Sequence, residues 1–352
     1  MTVFDDAEGD SSVASSSHYD PYYGRILRIP GPAPVSGSLD QIWAFVEPAL
    51  CHILSASTPN GEPARIDAEY YSHIYTTLYN LSTTAPRGRS VSGAAGHALA
   101  RLASLQLFSR PPSNSAGKQR DFTPPESDSV SDQVDYGPYL RLEDTFRRHA
   151  QNVLDNAPAN DPRLIEYLLT QYQRYTRSAT YISRMFSYLH RHFIRRMIAA
   201  GHGWLDMTPH ETISQLARYP PGRRPSEREL EERIANEIKA RRLVELKKWG
   251  YTTGSRVTHS RESEATAEAC AEAASPSDKI VPILSLALRQ WRIQVLEPLG
   301  VDSRLSRVAL TLVRRPTNDK TPEKMQRMLK SCGVRGADPA RKVLKRYTQS
   351  PK

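Results

Sequence analysis

The side chains best equipped for chemistry in this sequence are its histidines and cysteines. The stretch FSYLHRHFIRRM, Phe186 to Met197, sets His190 and His192 among Arg191, Arg195 and Arg196. Two residues apart on a helix, the imidazoles point about 200° from each other and cannot share one metal ion, so they read as structural histidines on opposite flanks. His202, Asp206 and His210 in GHGWLDMTPH are spaced more loosely, and no further ligand stands near them in the sequence. Cys51, Cys270 and Cys332 are far apart and form no CxxC pair. That spacing disfavours a zinc site or a disulfide framework and suits a reducing cytosol or nucleus. The sequence contains no Gly-rich phosphate loop, GxSxG elbow or HExxH pair. The expectation is therefore a binding function, with no catalytic residue, metal or cofactor.

Binding shows in the way two amphipathic segments divide into faces. At about 100° per residue, Ile182, Met185, Phe186, Leu189, Phe193 and Met197 form a core stripe, and Arg184, Tyr188, Arg191 and Arg195 fall within a band of about 60° opposite it. An aromatic residue among arginines suits a protein interface, although a solvated basic face has the same composition. In IDAEYYSHIYTTLYNLS, with Ile74 at the centre of the buried stripe, Tyr71, Tyr75 and Tyr79 run along one flank at about 60°, 100° and 140°. That is wider than one buried face needs, and two helices with surplus aromatic flanks point to docking.

The elements that must hold these faces are helical, because apolar residues recur at three and four, not two. SLDQIWAFVEPALCHIL carries Leu39, Ile42, Trp43, Val46, Leu50, Ile53 and Leu54, with Ser38 and Gln41 as a capping box and Pro48 as a kink that leaves the stripe intact. The second helix buries Tyr70, Ile74, Leu78 and Leu81, and YLRLEDTFRRHAQNVL buries Leu142, Phe146, Val153 and Leu154. DPRLIEYLLTQYQRY has Asp161 as N-cap, Pro162 in its first turn and a stripe of Ile165, Leu168, Leu169 and Tyr172. The fifth helix spans about Thr180 to Ala200, which makes a bundle the natural architecture. PSERELEERIANEIKARRLVELKKW, capped by Ser226 and Glu229, reads as a long exposed helix with the thin stripe Leu230, Ile234 and Ile238. The run through Ser17 and the stretches Thr84–Asp135 and Tyr251–Asp278 are rich in Ser, Ala, Gly, Pro and charge with little periodicity, and read as a disordered tail and two disordered insertions.

The formal net charge of +10 over 352 residues favours acidic partners without deciding the fold. The start, MTVFDDAEGDSS, is acidic where a signal peptide needs a basic, then apolar, run, and no stretch reaches the roughly 18 apolar residues of a membrane span.

The order of these motifs resembles the N-terminal region of the cullins, scaffold subunits of ubiquitin ligases, and within them the type that builds SCF ligases. The resemblance rests on LDQIW, on YYSHIYTTLYNL, on SYLHRHFIRR and on ILSLALRQWRIQVLEPL, collinear over about Leu39 to Gly300. It implies an all-α fold: a five-helix cullin repeat over 38–200 with an insertion at 84–135, a second insertion at 201–278, and the start of a second repeat over 279–352. It further implies that the second and fifth helices grip a BTB/POZ-fold adaptor of the Skp type, which carries F-box substrate receptors. The adaptor-facing residues of the family fall on Tyr71, Ile74, Tyr75, Tyr79, Tyr188 and Arg191. Nothing after Arg341 corresponds to the family's C-terminal globular domain, so no RING subunit and no ligase activity is expected from this sequence, and a competing, inhibitory role is. The implied location is cytoplasm and nucleus. A second reading, a basic helical nucleic-acid binder, would use Arg191, Arg195 and Arg196 with KARRLVELKK, but acids are interspersed through that helix and no docking motif accompanies it.

Overall fold

The computed structural model describes residues 26–34, 38–55, 62–84, 137–205, 211, 214, 226–252, 257–314 and 320–349. The expected tail through Ser17 and nearly all of the expected insertion at 84–135 lie outside them. The first helices are α1 (Leu39–Ser55), α2 (Ala68–Thr84), α3 (Gly137–Asp155) and α4 (Asp161–Met185). The rod α5 (187–202) follows, in which α-helical Ser187–Leu189 and Arg195–Met197 alternate with π turns at His190–Ile194 and Ile198–His202. Then come α6 (Glu227–Lys248), α7 (Val257–Ala273), α8 (283–301, with a π turn at Arg292–Leu296), α9 (Arg304–Arg314), α10 (Thr321–Ser331) and α11 (Pro339–Gln349). Among the described residues the extended pairings are two isolated parallel bridges, Leu27 with Ile66 and Gly203 with Ile280.

Local signals set the helix starts where the sequence puts them. Ser38 and Gln41 exchange hydrogen bonds of 3.0 and 3.3 Å, and Ser226 and Glu229 exchange bonds of 3.1 and 3.3 Å, so both capping boxes form. α1 continues unbroken through Pro48 and buries Ile42, Trp43, Val46, Leu50, Ile53 and Leu54, with Phe45 and Ala49 added to the expected stripe. At α4 the cap is one residue earlier than expected: Asn160 takes the extended cap conformation, and the Asp161 carboxylate instead accepts from Arg304 and Arg307.

One apolar core runs through α1 to α5 and on into α8 to α11. Buried hydroxyls tie its layers at main-chain carbonyls: Tyr70 donates to Phe45 at 2.5 Å, Ser178 to Ile53 at 2.7 Å and Tyr175 to Ala287 at 2.9 Å. Each bond satisfies a polar group that burial would otherwise leave unpaired. The boundary between the fourth and fifth helices falls at Phe186, later than the expected Thr180. There the backbone leaves helical geometry (φ −92°, ψ 25°), and the buried ring packs 6.4 Å from Trp43.

The stretch 251–278 departs from expectation, since α7 occupies most of it. Ala267, Cys270, Ala271 and Ala273 are buried, and Leu246 and Trp249 at the end of α6 pack in the same small cluster as the first three. Arg242 of α6 donates to Glu264 at 2.7 Å and to Glu268 at 3.0 Å, carboxylates one turn apart on α7. Alanine and glutamate favour helix strongly, but their small or charged side chains carry almost no apolar period. Gly333 allows the close packing at the end of α7: its φ is +77°, and a Cβ there would lie 2.3 Å from the amide nitrogen of Ala274.

Candidate protein-docking surface

The two faces singled out in the sequence meet along the seam between α2 and α5. Tyr71, Tyr75 and Tyr79 stand at successive turns of α2, and the break at Phe186 starts a new helix, so that Tyr188 lies across the upper two. Tyr188 makes edge contacts with Tyr75, at 4.7 Å between ring centroids, and with Tyr79, at 4.8 Å. His192 stacks on the other side of Tyr188 at 5.6 Å, nearly parallel at 17°. Lower down, Tyr71 meets Tyr181 of α4 edge-on at 6.1 Å. Such edge and offset pairs are the favoured geometries of aromatic quadrupoles and make the ladder rigid.

The seam is amphipathic and partly wet. Tyr79 is 42% exposed, Tyr71, Tyr75 and Tyr188 are half-buried, and Arg191 is exposed. The Tyr188 hydroxyl is held above its ordinary range, first by its hydrogen bond with the Tyr75 hydroxyl, with Arg191 pulling the other way. Burial, then the neighbouring Tyr75, raises Tyr71, opposed by Arg184, which places that arginine beside the ladder. His190, half-buried, is held below its ordinary range by burial and by Arg195 and Arg191, which favours the neutral ring. The seam therefore offers tyrosine rings and hydroxyls beside fixed positive charge, a surface that supplies contact area and directed hydrogen bonds at low entropic cost.

Five of the six expected contact residues lie on or beside this surface. Ile74 does not: its side chain is 0% exposed in the core shared by the bundle, so it supports the ladder from beneath and cannot touch an adaptor. Ile74 lies at the centre of the buried stripe of α2, and its burial follows from that position. Tyr188 also sits differently from expectation, at the seam with α2 and not diametrically opposite the core. An unbroken α-helix would place it opposite, but the Phe186 break and the π turns shift the register. The same π turn brings Ile194 into the core in addition to Leu189 and Met197, while Phe193 is left half-buried, 5.9 Å from Tyr139. His192, read as a flanking structural residue, is exposed on the ladder, and its position four residues after Tyr188 was the available signal.

The family model for the cullin alpha solenoid domain matches residues 43–349. The chain belongs to the cullin family. Neither the curated proteins nor the solved structures yield a match. As a cullin it carries an all-α repeat solenoid of a scaffold family of ubiquitin ligases, and the seam described above lies within the matched segment. The basic residues of the nucleic-acid reading separate into two groups in this cullin. Arg191, Arg195 and Arg196 are exposed, but Arg241 and Arg242 of KARRLVELKK are tied to Glu211, Glu237, Glu264 and Glu268. Arginines already paired with carboxylates within the fold would have to give up those partners to bind phosphates. Of the loosely spaced set in GHGWLDMTPH, Asp206 and His210 lie outside the described residues. Among the described residues no helix is long and apolar enough to cross a membrane.

Proposed function

We propose that this cullin is a non-catalytic scaffold arm that grips a BTB/POZ-fold adaptor of the Skp type, and through it F-box substrate receptors, in ubiquitin-dependent protein turnover. The docking surface is the seam of Tyr71, Tyr75, Tyr79 and Tyr188, with Arg191 at its rim. One observation carries the reading: aromatic residues from two helices form an ordered, partly exposed ladder beside arginines, where a core edge needs no such continuation. The reading brings with it a cytoplasmic and nuclear location.

The experiment is titration of the purified chain with a purified Skp-type adaptor, for wild type and for Tyr75→Ala with Tyr188→Ala. A tyrosine anchor at an interface centre contributes on the order of 2 kcal/mol, so the double variant should bind at least about thirtyfold more weakly. Equal affinity in the double variant would refute the site, and no binding by wild type would refute the adaptor.

A further inference from the structure

A second surface lies away from the seam, where α4 faces α9 and α10. Along α4, Ile165, Leu169 and Tyr172 follow one another at helical spacing down one wall of a groove of about 670 Å³. Leu169 and Tyr172, both expected in the core stripe, remain half-buried. The facing wall contributes Leu312 of α9 and Met328 of α10, and the Tyr172 hydroxyl is hydrogen-bonded to Ser331 at the floor. From Ile165 to Thr176 the wall is about 16 Å long, three turns of a helix. A trough between two helix surfaces is a seat into which the side-chain ridge of a third helix fits.

Charge decides what kind of helix it suits. Lys324 and Arg327 project from α10 into the rim, one turn apart, and neither has a carboxylate partner among the described residues. Glu166 on α4 is the acidic residue of the lining. The surrounding block is strongly cationic: residues 302–352 hold 14 Lys or Arg against 4 Asp or Glu, a surplus equal to that of the entire chain. We propose that this groove docks an acidic amphipathic helix of a partner protein, its apolar face on Leu169 and Tyr172 and its carboxylates on Lys324 and Arg327. The proposal does not depend on the adaptor seam, which uses other helix faces.

The test is fluorescence anisotropy of the full chain with two labelled three-turn synthetic helices, each with leucine along one face and either glutamate or lysine on its flanks. Wild type should bind the glutamate helix about tenfold more tightly than the lysine helix. Lys324→Glu with Arg327→Glu should invert that preference, and Leu169→Gln should weaken both, with circular dichroism and the urea midpoint unchanged because all three positions are at least partly exposed. No binding of the glutamate helix would overturn the proposal, and so would binding that the variants leave unchanged. A scrambled glutamate peptide binding equally well would reduce the site to diffuse charge and overturn it too. Concentration-dependent dimerisation lost in Leu169→Gln would assign the groove to a second copy and likewise overturn it.

Discussion

Replacing Arg289 by Met should cost the fold about 3 kcal/mol, because it removes one member of a buried polar network and leaves the rest in place. The Arg289 side chain is 0% exposed in the middle of α8. Its Nη1 donates to the carbonyls of Pro276 at 2.8 Å and Lys279 at 2.7 Å, and its Nη2 meets Glu143 of α3 at 3.4 Å. Glu143 also accepts from Gln290 at 2.7 Å, and burial pushes its carboxyl above the ordinary range while Arg289 and Gln290 draw it back. Methionine fills much of the vacated volume, so the loss is mainly electrostatic. Breaking a buried ion pair by removing one partner costs about 3–5 kcal/mol, and here the lower end applies because Glu143 keeps Gln290 as a donor.

Adding Glu143→Leu to Arg289→Met should recover part of the loss, since the orphaned carboxylate is then gone. The Lys279 carbonyl loses its arginine donor and the Gln290 amide loses Glu143, at about 1 kcal/mol each, while the Pro276 carbonyl keeps the Lys279 N–H at 3.3 Å, so recovery is incomplete. The assay is urea unfolding of wild type, both single variants and the double variant, followed by far-ultraviolet circular dichroism. A loss below about 1 kcal/mol for Arg289→Met would refute the reasoning. So would a double variant at least as unstable as the sum of the singles, because coupled partners must be less than additive.

Glu272, hydrogen-bonded to Ser285 at 2.6 Å, is raised from its ordinary 4.5 to about 7, by burial and then by Glu268 against the pull of Ser285 and Arg242. The folded state therefore holds this proton more tightly than the unfolded one. Its contribution, about 3 kcal/mol, is complete below about pH 4.5 and lost as pH rises through about 7, so the stability difference between wild type and Glu272→Gln should shift by that amount between pH 4.5 and 8, with a flat difference refuting it. Gly333→Ala, where φ is positive and the new methyl meets the Ala274 backbone, should lower stability by about 3 kcal/mol in thermal or urea unfolding, and an unchanged midpoint would contradict the close packing. Ile74→Ala should cost about 3 kcal/mol of stability, whereas Tyr79→Ala should cost less than about 0.5 kcal/mol yet weaken adaptor binding. Unfolding and titration of the two variants side by side would expose a mistaken division between core and surface.

Much of the first repeat was legible because its signals are local. The capping box at Ser38 depends on residues three apart, as does the one at Ser226 beyond the repeat, and the stripes of α1 and α3 depend on a fixed helical period. The tyrosine seam was half legible: the period separated Tyr71, Tyr75 and Tyr79 from Leu78, but could not say that Tyr188 would lie across Tyr75 and Tyr79. The helix α7 was missed because alanine and cysteine become core only when Trp249 and Leu246 arrive from α6, a pairing distant in sequence. The π turn that buries Ile194 leaves no compositional mark of its own.

By itself, then, the sequence determined the helical class, the starts of α1 and α6 at their capping boxes, the order of motifs that marks a cullin and the tyrosine and arginine types on the seam. All of these follow from spacing along one chain. Tertiary structure alone decided that Ile74 is support and not contact, that His192 joins the ladder, that Arg242 is spent on α7 and that Leu169 and Tyr172 remain half uncovered. Those outcomes turn on which surface meets a given helix face, and burial is a property of the pair of surfaces, not of either sequence segment.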